Sequence, residues 1–415
     1  MSLYDKSSVA LIPSGFKAGS TDNLYSVLPA NGNGDFNATR GSTATRVNKD
    51  GLIESVATNV PRLDYPLTSG VVGDCPHLLL EPQRTNVLLR SEELDTTWIT
   101  FRSSVTSNDI VSPDGSQNAE KIIQQSGQTS SGGVYQDLTL SNSTVYTYSV
   151  FLKAGGYDFG MIRIDGGQYA WFDLSLGAVG SITGSGSSSI ENFGNGWYRC
   201  SFTITTTSTT GQPHIYVTNS DGSQTLSGAD GVKGIYAWGA VVEQGSYPTS
   251  YIKTTSGQVT RSADACNSAG TSAEFNDSEG VLFAEIAAFD TNVGNARIGI
   301  AKASAGQLER VGFGFSTTTN QIQAFISRSS TQVNILATIS DIRDFNKIAF
   351  KYKVDDFSLF INGTKVGTDT SGSVPIGLDE LSFDDNDGVI FYGKCKQLIV
   401  FNEALSDSEL ATLTS

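Results

Sequence analysis

Four aromatic residues in the middle of the chain have side chains suited to sugar binding. In the runs QYAWFDLSL and GWYRCSFTI, apolar and polar residues alternate, so a strand would place Tyr169, Trp171 and Trp197 opposite its apolar face. Trp238, in IYAWGAVV, is a more ambiguous candidate. Flat rings stack on the C–H faces of pyranoses while neighbouring polar groups fix the hydroxyls. The four rings therefore predict a carbohydrate-binding surface. The alternative is that they pack beneath a loop or against a neighbouring domain.

An acidic run near the C-terminus has the oxygen ligands that Ca²⁺ prefers. Asp384, Asp385 and Asp387 flank Asn386 directly before Gly388, and hard cations bind such oxygen clusters. The spacing is not that of an EF-hand loop. A weakly predicted calcium site and a solvated acidic turn at the rim of a sandwich both fit this pattern.

The stretch from residue 34 to residue 98 is organised around its arginines. It consists of short extended pieces separated by glycine and proline, and a segment of this kind buries little core by itself. We therefore expect it to lie on another copy of the chain or on a larger assembly. Arg40, Arg46, Arg62 and Arg84 are predicted to hold carboxylates or carbonyls of that neighbour. Binding of an anionic glycan or a lipopolysaccharide phosphate is the alternative.

Catalytic motifs are scarce. The sequence contains two histidines, His77 and His214, each isolated among apolar or turn residues, which disfavours histidine-based nucleophilic or general-base sites. It contains no GxSxG, HExxH or Walker-type motif. Glycoside hydrolysis needs only two carboxylates, so a polysaccharide depolymerase stays open as an alternative. We expect a protein that is not an enzyme.

The overall charge limits the kinds of molecule that the protein is expected to bind. With 27 Lys and Arg against 42 Asp and Glu, the formal net charge is −15, which disfavours nucleic-acid binding through phosphate neutralisation. An anionic polysaccharide would bind only at a local cationic patch. No apolar run is long enough to span a membrane, and the first residues do not resemble a secretion signal. We therefore expect synthesis in a cytoplasm and no membrane insertion. We also expect the four cysteines to be buried and reduced.

Strand-like periodicity predicts an all-β protein with three parts. An extended anchoring and oligomerisation region covers residues 1–98, a first β-sandwich residues 99–265 and a second β-sandwich residues 266–415. Asn362-Gly363 predicts a hairpin turn. Ser406 and Glu409 predict a capping box that opens a short C-terminal helix.

Each part also resembles a known family. The runs FNATRGSTATRVNKDGLIESVATNVPRLDY and LLLEPQRTNVLLRSEELDTTW resemble a stretch that recurs in fibre, appendage and receptor-binding proteins of tailed bacteriophages. The runs FDLSLGAVGSI, NGWYRCSFTI and GAVVEQGSYPTSYI are similar to jelly-roll carbohydrate-binding modules. The runs FSLFINGTKVG and IVFNEALSDSELATL resemble the laminin-G-like or concanavalin-like sandwich.

These resemblances imply a virion structural protein, made in the cytoplasm of the host bacterium. Such proteins are commonly homo-oligomers, often trimers, and contact other virion proteins. The predicted function is assembly through the N-terminal region and binding of host surface glycans through the sandwiches, with no cofactor beyond a possible structural Ca²⁺. A purely architectural decoration protein is the second reading. Head fibre, tail fibre and adaptor all stay open.

Overall fold

The N-terminal region contributes short strands rather than a separate core. The computed structural model describes residues 2–14 and 24–415. After a 3-10 turn at Leu3–Lys6, the described part of this region forms β1 (Ser7–Leu11), β2 (Ser26–Leu28), β3 (Asn37–Thr39), β4 (Ala44–Val47), β5 (Ile53–Val56), β6 (Arg62–Asp64), β7 (Leu67–Thr68), β8 (Val71–Val72), β9 (His77–Leu80) and β10 (Arg84–Asn86).

The middle region forms a sandwich of two sheets. Its strands are β11 (Ile99–Phe101), β12 (Ser103–Ile110), β13 (Ala119–Gln124), β14 (Gly133–Tyr135), β15 (Leu138–Thr139), β16 (Val145–Gly155), β17 (Phe159–Arg163), β18 (Tyr169–Asp173), β19 (Ala178–Thr183), β20 (Gly186–Asn192), β21 (Tyr198–Thr205), β22 (Thr210–Gly211), β23 (His214–Thr218) and β24 (Gly234–Gln244). We call the sheet β11-β14-β23-β17-β18-β19 the front sheet and the sheet β12-β13-β24-β16-β21-β20 the back sheet. The apolar core between them lies wholly within residues 88–242.

The C-terminal region forms a second sandwich. It is preceded by two short strands, β25 (Val259–Arg261), which pairs with β10, and β26 (Ala265–Asn267), which pairs with β3. Its own elements are β27 (Glu279–Ala287), β28 (Ala296–Ala301), a kinked 3-10 segment (Ala303–Leu308), β29 (Glu309–Phe315), β30 (Gln321–Arg328), β31 (Thr331–Thr338), β32 (Asn346–Lys353), β33 (Phe357–Ile361), β34 (Thr364–Asp369), β35 (Glu380–Ser382), β36 (Gly393–Phe401) and α1 (Asp407–Leu413). One sheet follows the order β31-β30-β29-β28-β35, and the other contains β36-β27-β32-β33-β34. The predicted all-β class with two sandwiches is confirmed.

The N-terminal region completes this second sandwich. Strand β1 pairs antiparallel with β36, with Val9 opposite Val400 and Leu11 opposite Leu398, and β2 extends the same sheet. Strand β9 pairs with the other end of β36 and with β6. The second core therefore includes side chains from this region, each worth about 1.5–3 kcal/mol on burial, namely Val9, Leu11, Leu24, Phe36, Leu78 and Leu80.

This pairing corrects one expectation from the sequence. The N-terminal region was expected to lie on another copy of the chain, whereas much of its described part lies on the second sandwich of its own chain. The backbone hydrogen bonds that these short strands need come from β36, which lies more than three hundred residues further along.

Two further expectations concern cysteines and membranes. Cys200, Cys266 and Cys395 are buried and free, as expected, but Cys75 is exposed, because it lies in a turn rather than in a strand. Among the described residues, no helix is long and apolar enough to cross a membrane.

Glu120 in β13 gives the first sandwich a predicted pH dependence. Its side chain is buried and Oε2 has no hydrogen-bond partner; burial, with Asp95 and Glu93 nearby, raises the pKa of Glu120 to about 8. Because the folded state favours the protonated acid, stability is highest below the ordinary pKa near 4.5 and falls as pH rises through about 8. We expect Glu120→Gln to raise the unfolding midpoint at pH 8 and to change it little at pH 4. Exposed Glu191→Gln is the control, and an equal effect of Glu120→Gln at both pH values would contradict this account.

Candidate functional site

The outer surface of the front sheet carries a continuous set of aromatic side chains. In one row of paired residues, Phe101 lies opposite Gly133, Gly133 opposite Tyr216, and Met161 between Tyr216 and Trp171. Residues paired across neighbouring strands point to the same face of a sheet. The opposite face of these strands supplies the sandwich core.

A second row runs beside the first. Tyr135 lies opposite His214, His214 opposite Arg163, and Arg163 opposite Tyr169. The order of the strands thus brings together side chains that are far apart in the sequence. We call this surface the ring face, defined by Phe101, Tyr135, Tyr169, Trp171, His214 and Tyr216.

The rings of the ring face contact one another directly. Tyr135 and His214 are stacked with centroids 4.5 Å apart, and His214 and Tyr216 are stacked at 4.8 Å. The edge of Phe101 meets all three of these rings at 5.3–5.9 Å between centroids. Tyr169 reaches Tyr216 at 6.1 Å from the other side. Such mutual packing holds the rings in fixed positions, so that a ligand meets a preformed surface.

Exposure differs among the rings. Trp171 is only 3% exposed; its indole Nε1 donates to the carbonyl oxygen of Ser223 at 3.3 Å, so the loop after β23 covers it. Tyr169 is half-buried, 5.7 Å from Trp171. Tyr135 is also half-buried. Phe101 is half-buried as well. The accessible parts of the ring face are therefore Phe101, Tyr135 and Tyr169, with Trp171 as support beneath the loop.

His214 offers an acceptor on this surface. Its Nδ1 lies 2.7 Å from the carbonyl oxygen of Gln212, which can only accept, so Nδ1 carries the hydrogen. Burial lowers the pKa of His214 to about 4, so the ring is neutral near pH 7. Nε2 then has a free lone pair that can accept a hydrogen bond from a hydroxyl group.

Arg163 supplies the donors of the surface. Its Nη2 donates to Oε1 of Gln212 at 2.7 Å, and its guanidinium lies over the ring of Tyr169 at 5.8 Å from the centroid. Burial would raise the pKa of Tyr169, but hydrogen bonds from Arg163 and Gln224 outweigh that effect and lower it. For Tyr216, burial dominates and raises the pKa to about 12. Two flat rings with a donor and an acceptor between them suit a pyranose.

The other two predicted rings lie on a different sheet. Trp197 and Trp238 belong to the outer side of the back sheet and are 3% and 1% exposed. The indole of Trp197 donates to the carbonyl oxygen of Val111 at 3.1 Å, and Trp238 packs on Tyr251 with centroids 4.6 Å apart. Trp197 and Trp238 therefore pack beneath other segments, which was the alternative to sugar binding for these rings. Trp197 also borders a groove of about 460 Å³ that extends to hairpin β7–β8.

Sequence reasoning missed most of the ring face. Phe101, Tyr135, His214 and Tyr216 were not among its candidates, and His214 was treated as isolated. The alternation in HIYVT places His214 and Tyr216 on one side of a strand, so this local signal was available. No comparable signal in the sequence indicated which strands would lie beside this one.

The predicted assembly arginines Arg40 and Arg62 lie in a buried arginine–carboxylate cluster. Arg62 contacts Asp264 with Nη2 and Glu81 with Nη1, the latter at 2.6 Å; Arg40 reaches Asp264 at 3.0 Å, and Arg261 reaches Glu81 at 2.6 Å. Burial alone would raise the pKa of Glu81, but Arg261 and Arg62 hold it well below its usual range. Carboxylates are the predicted partners, but here they belong to the same chain, so the cluster joins the N-terminal region to the segment between the sandwiches.

The other two assembly candidates also have partners in their own chain. Arg46 pairs with Glu54 across hairpin β4–β5 at 2.7 Å, and both side chains are partly exposed. Arg84 lies 3.8 Å from Glu243 and over the ring of Tyr247, 5.5 Å from its centroid. None of the four arginines therefore needs a neighbouring subunit to satisfy its charge.

The acidic run is not arranged as a calcium site. Asp385 is fully buried between Arg297 and Arg310, at 2.7 and 2.8 Å, and Asp387 lies 3.6 Å from Arg310. The neighbouring Asp384 side chain accepts a backbone hydrogen bond from Asn386. No group of three or more metal-ligating side chains forms among residues 2–14 and 24–415. The weakly predicted site at Asp384, Asp385 and Asp387 is thus corrected, because guanidinium groups already supply the positive charge.

Comparison with known proteins gives structural likenesses only. No protein-family model matches the sequence, and no curated protein matches it. Among solved structures, the Ruminococcus gnavus IT-sialidase CBM40 bound to α2,3-sialyllactose is 14% identical, covers 34% of this chain and 84% of its own, and has a TM-score of 0.29. A second match is domain 4 of AbnA, a GH43 extracellular arabinanase from Geobacillus stearothermophilus, in complex with arabinotriose. It is 13% identical, covers 40% of this chain and 81% of its own, and has a TM-score of 0.29.

A third likeness is to the heptameric SAP-like pentraxin from Limulus polyphemus, which is 15% identical over 33% of this chain and 70% of its own, with a TM-score of 0.28. All three matches cover a minority of the chain. The proposed function therefore rests on the site itself.

Proposed function

We propose that this protein binds glycans and that the ring face is its sugar-binding surface. The observation that carries the proposal is the combination of partly exposed Tyr135 and Tyr169 with the polar groups of Arg163 and His214 on one sheet face. A pyranose lying on the rings would bring its hydroxyls within reach of both polar groups. The packed rings around them lose little conformational entropy when a ligand binds.

The proposal extends to a role in a virion. The resemblance of the stretch within residues 34–98 to tailed-bacteriophage fibre and appendage proteins supports a structural protein of the virion that attaches to bacterial surface glycans. Homo-oligomerisation, with a trimer as the expected state, belongs to this proposal. Because Arg40 and Arg62 are buried within their own chain, subunit contacts would use other residues of the N-terminal region.

We propose binding without hydrolysis. The carboxylates near the ring face already have structural partners: Asp137 accepts from the amide of Gln212 at 2.7 Å, and Asp165 accepts from Thr207 and Ser208. A retaining or inverting glycosidase needs two carboxylates facing the scissile bond.

An architectural role has one observation in its favour. Trp197 and Trp238 are buried against the described N-terminal segments and the back sheet, which is the bracing expected of a decoration protein. In that case the ring face would bind no sugar.

Tyr169→Ala tests the proposed surface. We expect it to weaken binding to bacterial surface polysaccharide roughly tenfold, about 1.4 kcal/mol, because it removes a stacking ring without opening the core. Affinity electrophoresis in gels that contain fractionated polysaccharide measures the effect. Tyr4→Ala is the matched control, since Tyr4 is 39% exposed on the N-terminal segment and far from the front sheet in the strand order.

The same samples separate the three readings. Retardation of the wild-type protein that Tyr169→Ala reduces, with no new reducing ends, supports a glycan-binding protein. New reducing ends would identify a depolymerase. If the wild-type protein migrates equally with and without every polysaccharide fraction, it binds none of them, and the result favours the architectural role.

A further inference from the structure

Arg163 differs from most arginines of the chain in having no acidic partner. Among the described residues, no carboxylate oxygen lies within 4.0 Å of its guanidinium, and its hydrogen bonds go to Gln212 and to the hydroxyl group of Tyr169. Carboxylates do pair with Arg40, Arg46, Arg62, Arg84, Arg90, Arg261, Arg297, Arg310 and Arg343. In a chain of net charge −15, a half-buried cation without a counter-ion is a marked exception.

The other unpaired arginines have different surroundings. Arg199 is buried and donates to Ser149 and to the carbonyl oxygen of Thr249. Arg102 and Arg328 are exposed to solvent. Arg163 alone combines partial burial, a fixed side chain and a place among the rings. Its bonds to Gln212 use Nε and Nη2, so the guanidinium keeps donor capacity for an incoming acceptor.

We propose that the ring face selects acidic glycans, with Arg163 binding the carboxylate of a uronic acid or similar sugar while its pyranose lies on Tyr169. This inference rests on the proposed function. The planar guanidinium suits a carboxylate, and charge-assisted hydrogen bonds are about twice as strong as neutral ones. Gln212 holds Nη2 at 2.7 Å, so the group is oriented before the ligand arrives.

The surrounding charges sharpen the specificity. Two further charges act on the ring face. Asp137, which binds the amide of Gln212, acts on His214. Arg102, beside Phe101, acts on Tyr216. The rest of this acidic protein repels a polyanion. Binding should therefore depend on the local cations, with Arg163 contributing most, and weaken with salt.

The test compares acidic polysaccharides with their neutral counterparts. Biolayer interferometry would use biotinylated polygalacturonate, alginate and hyaluronan, each beside its carboxyl-reduced form. We expect at least one acidic chain to bind well above its reduced form. Arg163→Gln should weaken that binding roughly 10- to 100-fold, Arg163→Lys should restore part of it, and Arg328→Gln should leave it unchanged.

Each outcome decides the matter. If the reduced forms bind as tightly as the acidic ones, or if Arg163→Gln binds like the wild type, the selection of acidic sugars is wrong while glycan binding stands. If Arg328→Gln weakens binding as much as Arg163→Gln, the effect is one of net charge and the assigned role of Arg163 is wrong. If none of the acidic or reduced chains binds, the selection of acidic sugars is wrong. The proposed function then stands only if the protein binds neutral polysaccharides and Tyr169→Ala weakens that binding.

Discussion

Replacing Arg62 with methionine is expected to lower the free energy of unfolding by about 3–5 kcal/mol. Arg62 is fully buried and bonds both Glu81 and Asp264. It also donates to the carbonyl oxygen of Thr45 and to Ser250. Its loss removes the donor that joins the two acids and leaves these buried acceptors short of hydrogen bonds. Arg40 and Arg261 remain, but each contacts only one of the two acids. Guanidinium denaturation followed by tryptophan fluorescence measures the change. A midpoint that moves by less than the equivalent of about 1 kcal/mol would contradict the importance of the cluster.

Arg46→Met provides the matched control for this prediction. Arg46 belongs to the same N-terminal region and also forms an ion pair, with Glu54 at 2.7 Å, but both side chains are partly exposed. Exposed pairs contribute about 0–1 kcal/mol. Two arginines that look alike in the sequence are therefore expected to differ severalfold in their effect on stability, because only the loss of Arg62 leaves buried acceptors without their donor.

The fragment of residues 266–415 is expected not to fold cooperatively by itself. It lacks β1, β6 and β9, so β36 would lose partners along one side. It also lacks core side chains such as Val9, Leu11, Phe36 and Leu78, which are 0% exposed in the intact chain. At about 1.5–3 kcal/mol for each buried side chain, the loss of these four alone is about 6–12 kcal/mol, which is comparable with the 5–15 kcal/mol that typically stabilises a whole folded domain.

The fragment of residues 84–262 is the control, because it contains the whole core of the first sandwich. We expect it to show dispersed amide NMR signals and a cooperative thermal transition. The fragment 266–415 should show neither. A cooperative transition in 266–415 would contradict the contribution that we assign to the N-terminal strands.

Local features of this fold could be predicted from the sequence. Asn362 and Gly363 both have positive φ and join β33 to β34, as expected of an Asn-Gly hairpin. The capping box of Ser406 and Glu409 opens α1. In β18, Phe172 lies in the core and Trp171 on the opposite side. Each of these outcomes depends on residues close together in the chain.

Features that depend on distant pairing could not be predicted. The N-terminal strands have a residue composition that is usual for strands, and nothing in their sequence indicates that they pair with β36. Likewise, Tyr135 and His214 become neighbours only because β14 pairs with β23. The burial of Asp385 between Arg297 and Arg310 also follows from sheet contacts, which is why the acidic run resembled a cation site in the sequence.

The most direct test of the central claim is a crystal structure of the protein with the oligosaccharide that it retains most strongly. We predict a pyranose ring on Tyr169 and Tyr135, with an acidic group at the guanidinium of Arg163. Sugar bound in the groove beside Trp197, or on the second sandwich with the ring face empty, would contradict the account.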